Sequence, residues 1–162
     1  MTAFRSTVGK LVTVPEAADW RRGLRGPLVF TNGVFDLLHS GHAEYLEAAR
    51  AEGAALIVAV NSDASAQLLA KGADRPIVPA ADRARLVAAL AAVDRVVLFG
   101  DATPLELIRT LEPDVLVKGA DYTRATVVGA DLVEARGGRV VLVPLTPNQS
   151  TTLLVERIRG TS

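Results

Sequence analysis

From residue 28 onward, short apolar runs alternate with helix-patterned segments, and that alternation restricts the chain to very few architectures. The run Leu-Val-Phe-Thr at 28–31 has the uninterrupted apolar character of a strand buried on both faces of a parallel sheet. Further strands are predicted over 55–60, 95–99, 114–117 and 139–143. Helices are predicted between them over 41–52, 63–69, 80–92, 103–111 and 126–136, with a last one over 151–159. Asp63 is the expected cap of the second, Thr103-Pro104 opens the fourth, and Gly137-Gly138 stops the fifth. Glycine and prolines over 71–79 mark a loop. The fold class expected is α/β, a doubly wound, Rossmann-like five-stranded parallel sheet. Residues 1–25 read as an N-terminal extension with a short helix over 15–22, and 26–162 as one domain.

Composition removes several classes of function. Acidic and basic residues balance at 18 each, which argues against a general nucleic-acid or membrane-surface binder. The absence of cysteine excludes a disulfide scaffold, a thiolate metal site and a cysteine nucleophile. The first ten residues carry no apolar signal core, and no apolar run is long enough to span a bilayer. A cytoplasmic protein is therefore expected. The chain has three lysines, Lys10, Lys71 and Lys118, and the last two each precede a glycine.

The sharpest feature is the segment TNGVFDLLHSGH over 31–42, which follows the first predicted strand and enters the first predicted helix. In a doubly wound sheet this is the carboxyl end of a strand near the switch point, where ligands bind. Gly33 and Gly41 permit close backbone approach. His39 and His42, the two histidines of the chain, are spaced to face one side of a helix start. Free N–H groups and the helix dipole favour an anion there. Imidazole donors aimed at a phosphorus under attack would stabilise the charge that builds up in the transition state. Two histidines could also form half a zinc site, but the remaining ligands would have to be carboxylates.

This segment resembles the signature of the HxGH nucleotidyltransferase superfamily, which includes cytidylyltransferases and pantetheine-phosphate adenylyltransferases. Other segments are similar to one branch, the heptose 1-phosphate adenylyltransferases. These are VAVNSD at 58–63, KGADRP at 71–76, AVDRVV at 92–97, Thr103-Pro104, PDVLVKGADY at 113–122 and Ser150-Thr151-Thr152. The similarity runs from about residue 28 to 159. It implies an HxGH nucleotidyltransferase fold over 26–162, in the stand-alone form without the sugar-kinase half to which the branch is often fused. The implied reaction joins ATP and D-glycero-D-manno-heptose 1-phosphate into ADP-heptose and pyrophosphate, with Mg²⁺, for the lipopolysaccharide core. A homodimer or higher homo-oligomer is implied as well.

The resemblance assigns roles residue by residue. His39, His42 and Lys71 would be catalytic donors, Lys71 from a loop that closes over the triphosphate or, alternatively, as a solvated lysine. Thr31, Asn32, Gly33, Phe35, Gly41, Lys118 and Gly119 would bind the nucleotide. Ser150, Thr151 and Thr152, at a helix start, would form a second anion site, or cap the helix, or both. Asp36 would help place the acceptor phosphate and Mg²⁺, or make a turn-stabilising contact. Asn61, Asp63 and Arg83 would meet the substrate. Asp63 reads equally as a helix cap, and Arg83 as a solvated helix charge.

Some positions depart from relatives. Val34 stands where heptose adenylyltransferases commonly have cysteine. Residues 145–152 (LTPNQSTT) and 91–94 (AAVD) lack the arginines that cytidylyltransferases usually carry in these segments, which favours the adenylyl branch. The expected mechanism is one in-line displacement at the α-phosphorus, with catalysis by alignment and charge stabilisation. Two alternatives stand beside it: a cytidylyltransferase acting on glycerol 3-phosphate or a phospho-amino-alcohol, and a non-catalytic nucleotide-binding module.

Overall fold

A computed structural model describes residues 6–69 and 74–160. Its five strands are β1 (Leu28–Gly33), β2 (Ala55–Asn61), β3 (Arg95–Phe99), β4 (Val115–Gly119) and β5 (Arg139–Val143). All pair in parallel, in the order β3-β2-β1-β4-β5. The α/β, doubly wound sheet expected from the alternation is the observed fold. The chain moves outward from β1 to β3 on one side and then crosses to β4, so the switch point lies between β1 and β4.

The side-chain period of two sorts the strand residues onto two cores. Leu28 and Phe30 of β1 join Ala55, Ile57 and Ala59 of β2 on one face, while Val29 joins Leu56, Val58 and Val60 on the other. Helices α1 (Val14–Gly23), α5 (Leu105–Leu111) and α6 (Ala130–Ala135) cover the first face. Helices α2 (Ser40–Ala51) and α4 (Ala80–Ala89) cover the second. Two further helices, α3 (Asp63–Leu68) and α7 (Thr151–Arg159), follow β2 and β5.

The segment before β1 packs onto the sheet. Leu11 bridges Val96 at the β3 edge, and Val12 donates its N–H to the Val96 carbonyl at 3.0 Å. Thr13 and Glu16 close a capping box at the start of α1, where Ala17 is fully buried. Trp20 lies under the Arg95 guanidinium, 4.7 Å from it. An otherwise open edge strand is thereby partly covered.

Several boundaries differ from the sequence reading, each for a local reason. Strand β1 extends to Gly33 and β4 to Gly119, because both continue pairing as they approach the ligand edge. Helix α4 stops at Ala89, where Leu90 turns extended. The helix expected over 126–136 splits: Arg124–Thr126 form a 3₁₀ turn, Gly129 takes φ +84°, and α6 starts after it. The cap of α3 is Ser62, whose hydroxyl accepts from the Ser65 N–H, not Asp63. Among the described residues, no helix is long and apolar enough to cross a membrane.

Candidate active site

The cleft opens where the β1–β4 ladder stops. These strands share two register pairs, Val29 with Val115 and Phe30 with Leu116, and then diverge toward their carboxyl ends. Side chains span the gap in place of backbone bonds. Tyr45 of α2 shares a 2.8 Å hydrogen bond with the Thr31 hydroxyl and donates to the Val117 carbonyl at 3.1 Å. Burial pushes the Tyr45 phenol well above its ordinary pKa, so it stays protonated and keeps donating. Lys118 Nζ crosses the same gap to the Asn32 carbonyl and side-chain oxygen, at 3.1 and 2.6 Å. Burial lowers the amine to about 8 against the opposing pull of Asp121.

One cavity of about 280 Å³ sits above these bridges, lined by Asn32, Gly33, His39, His42, Gly119 and Ser150 among others. A second, of about 420 Å³, is lined by Asp36, Arg75, Pro76 and Thr152. The two share the walls Val34, Phe35, His42, Asp121, Ser150 and Thr151. They are two chambers of one cleft, and His42 stands at the partition.

The histidines gain their placement from the loop that leads into α2. Phe35 and Leu37 adopt φ +53° and +48°, a conformation costly for non-glycine residues and therefore held by its surroundings. His39 and His42 stack with ring centroids 3.9 Å apart, and Phe35 packs on His42 at 5.5 Å. A methyl at Gly41 would lie 2.9 Å from Gln149 Cβ and 3.0 Å from His39 Nδ1, so only glycine fits this start of α2. His42 Nδ1 accepts from the His39 N–H at 3.4 Å, which leaves Nε2 to carry the proton. Burial, with His39 second and Asp36 opposing, lowers His42 to about 4. Burial also lowers His39, whose Nδ1 is buried without a partner. An unpartnered lone pair costs less than an unpartnered N–H, so His39 too is read as the Nε2–H tautomer. Both rings are neutral donors at neutral pH.

Asp36 is buried and its carboxylate is already occupied. It accepts from the Ile77 and Val78 N–H groups at 2.8 and 2.9 Å, and from Arg75 at 3.4 Å. Its carbonyl accepts from the Thr151 hydroxyl at 2.7 Å, which ties the β1 loop to the start of α7. Asp36 is thus a latch between the two chambers. Among the described residues, no three His, Asp or Glu side chains cluster to hold a metal. Both carboxylate oxygens of Asp36, expected to help place the acceptor phosphate and Mg²⁺, already accept hydrogen bonds from the protein.

Other expected residues fall into two groups. Asn32, Gly33, Phe35, Gly41, Lys118, Gly119, Ser150 and Thr151 line the first chamber, and Thr152 the second. Gly119 leaves room for close approach, since a methyl there would lie 2.5 Å from Asp121 and 2.9 Å from Leu145. Ser150 caps α7 by accepting from the Leu153 N–H. Thr31 lies beneath the floor, fully buried against Tyr45. Arg83 is neither at the cleft nor solvated: it is fully buried and donates to the carbonyls of Val34, Asn61 and Val78 and to Asp63. Asp63 is therefore Arg83's partner, and Asn61 is buried beside Ser65, outside the walls of either chamber. Lys71 lies outside the described residues.

Among the wall residues that sequence reasoning missed, three stand out. Tyr45 reads as part of an apolar helix face, although a phenol there signals a polar tip seeking a partner. Arg75 lies inside the segment 71–76 already singled out, yet it brings the cation of the second chamber. Asp121, just past Gly119, borders both chambers.

The chain is similar to known proteins. A family model described as cytidylyltransferase-like matches residues 30–157. The bifunctional protein HldE of Gluconobacter oxydans is 55% identical over 156 residues, covering 94% of this chain and 32% of that protein. HldE of Geotalea uraniireducens is 56% identical over 142 residues, 88% of this chain and 28% of that protein. The chain thus spans about a third of the length of these curated relatives. A solved structure, the lipopolysaccharide core biosynthesis protein of Thermoplasma volcanium, superposes with a TM-score of 0.63 at 28% identity. That match covers 77% of this chain and all of the other.

Proposed function

The chain belongs to the cytidylyltransferase-like family, and from that premise we propose that it transfers the AMP moiety of ATP to D-glycero-D-manno-heptose 1-phosphate. The observation that carries this reading is the two-chambered cleft with His42 at the partition. A nucleotide in the first chamber and a phosphorylated acceptor in the second would meet at that imidazole. The choice of heptose rests on the sequence resemblance. The similarity to a lipopolysaccharide core biosynthesis protein supports it.

An oxygen of the acceptor phosphate attacks the α-phosphorus of ATP, forming the new P–O bond. The bond from that phosphorus to the bridging oxygen breaks, and pyrophosphate leaves. The attacking phosphate is ionised at neutral pH, so no general base is needed. His39 and His42 donate Nε2–H hydrogen bonds to the oxygens that gain charge, with no reorganisation at the moment of reaction. Hydroxyls and N–H groups at the start of α7 hold the departing phosphates. Asp36 aligns the acceptor chamber through residues 75–78, and Arg75 supplies its positive charge. Lys71, as the resemblance implies, would donate to the triphosphate. Mg²⁺ would come with the nucleotide as part of the substrate and would neutralise charge on its phosphates. The reaction suits the cytoplasm, where ATP is available, and a homo-oligomer is carried over from the resemblance.

A panel of pyrophosphate-release assays tests the proposal, pairing ATP, CTP and GTP with α- and β-heptose 1-phosphate and glycerol 3-phosphate. Turnover with ATP and one heptose anomer is expected. Preference for CTP with glycerol 3-phosphate would replace it with the cytidylyl alternative. Light scattering on the purified protein checks the oligomer.

A further inference from the structure

The floor of the nucleotide chamber carries an arrangement that the transfer step does not use. Lys118 Nζ spends two donors on Asn32, one on its backbone oxygen and one, at 2.6 Å, on its side-chain oxygen. An ammonium group has donors only, so the carboxamide must turn its oxygen to Lys118 and its NH₂ group away. Asn32 lines the chamber, and its Nδ2 has no protein partner among the described residues. Among the described residues, the buried, unpartnered side-chain atoms are His39 Nδ1 and Asn61 Oδ1, so Asn32 Nδ2 is open to the cleft. The Tyr122 ring stands 5.2 Å from Lys118 Nζ and adds a cation–π contact to this placement.

We propose that Lys118 is a positioning residue that locks the Asn32 carboxamide in one flip, so that Asn32 meets the nucleotide purely as a hydrogen-bond donor. This rests on the nucleotide reading of the chamber given above. The partner is an acceptor oxygen of the ribose or the α-phosphate. Asn32 shares the chamber with the histidines and helix starts, which gather phosphates, and with Gly119, Tyr122 and Leu145, which suit a base. Lys118 itself, with two of its three donors committed to Asn32, acts chiefly through that residue.

The test is calorimetric binding of α,β-methylene-ATP, which cannot be turned over, to the wild-type protein and to N32D, K118M, K118R and N32D/K118M. N32D keeps the shape and inverts the polarity, and it should weaken binding by about tenfold or more. K118M frees the amide to flip and should weaken binding by about three- to tenfold, while K118R, still a donor, should recover most of it. In the double variant the losses should fall short of their sum, as for residues acting as a unit. The acceptor KM should stay within about twofold in N32D, a split that general damage would not give. A 2′-deoxy analogue separates the two oxygens: a smaller N32D penalty indicates ribose, an unchanged one the α-phosphate. The inference is overturned if N32D binds within about twofold of wild type, or if the two single losses are additive. A wild-type protein that binds the analogue but releases no pyrophosphate from ATP would sink the proposed function and leave this inference standing. A wild-type protein that does not bind the analogue would end both.

Discussion

His39 and His42 stack ring on ring at 3.9 Å. Burial first, and the neighbouring His39 second, lower His42 to about 4. Protonation would also break the bond from the His39 N–H to His42 Nδ1. We therefore expect the His42 ring resonances in an NMR titration to stay those of neutral imidazole as pH falls from 7 to 5 and to move only near 4. A His42 resonance that titrates near the ordinary histidine value would contradict this. Stability follows the same sign. The unfolded chain takes up the His42 proton first, so between about 6.5 and 4 stability is lost as pH falls, on the order of 3 kcal/mol from this group. H42Q should flatten that part of the denaturation-versus-pH curve.

Replacing either histidine by alanine should lower kcat by about 10²–10³-fold with little change in nucleotide KM, as for a donor used mainly in the transition state. Steady-state pyrophosphate release measures both constants. Wild-type turnover in the double alanine variant would remove the imidazoles from the mechanism.

Asp36 is expected to act through the backbone it holds. D36N keeps the volume but sets an NH₂ group against one of the N–H donors of Ile77 and Val78. A loss of about 1–3 kcal/mol of stability follows from the unpaired buried donor, together with a raised acceptor KM. The Mg²⁺ concentration for half-maximal rate should not move. A large shift in that midpoint would instead make Asp36 a metal ligand.

Arg83 joins three backbone carbonyls, from the β1 loop, the end of β2 and the segment before α4, and adds Asp63. R83M fills similar volume yet leaves buried carbonyls without donors. The expected cost is at least about 3 kcal/mol, seen as a fall in the thermal midpoint by circular dichroism. A variant as stable as wild type would show that water replaces the guanidinium.

The contrast between these residues explains how far the sequence could be read. The strand alternation, the histidine segment and the Ser150 cap were legible because each is a local signal: a period, a helix start, a hydroxyl before an apolar run. Arg83 was not, because a charged residue on a helix becomes a buried clamp only when three separate segments meet around it. Tyr45 and Lys118 were misread or half-read for the same reason. Their roles follow from a β1–β4 ladder that ends after two pairs, a fact of register that no single segment carries. Gly129 breaks a helix-like run by its backbone conformation, against a pattern that favoured continuity.

Arg75 gives the sharpest separation of the two chambers. Its side chain is 18% exposed, its contact to Asp36 is long at 3.4 Å and is its one ion pair among the described residues, and it lines the second chamber and not the first. A guanidinium held this loosely retains donors for an incoming phosphate. R75A should therefore raise the acceptor KM by about 10- to 100-fold and leave nucleotide affinity within about twofold. R75K should recover only part, since an ammonium cannot form the two parallel bonds of a guanidinium. The measurement is a matrix of KM values, varying each substrate at saturation of the other. If R75A instead weakens the nucleotide and spares the acceptor, the chambers are assigned the wrong way round.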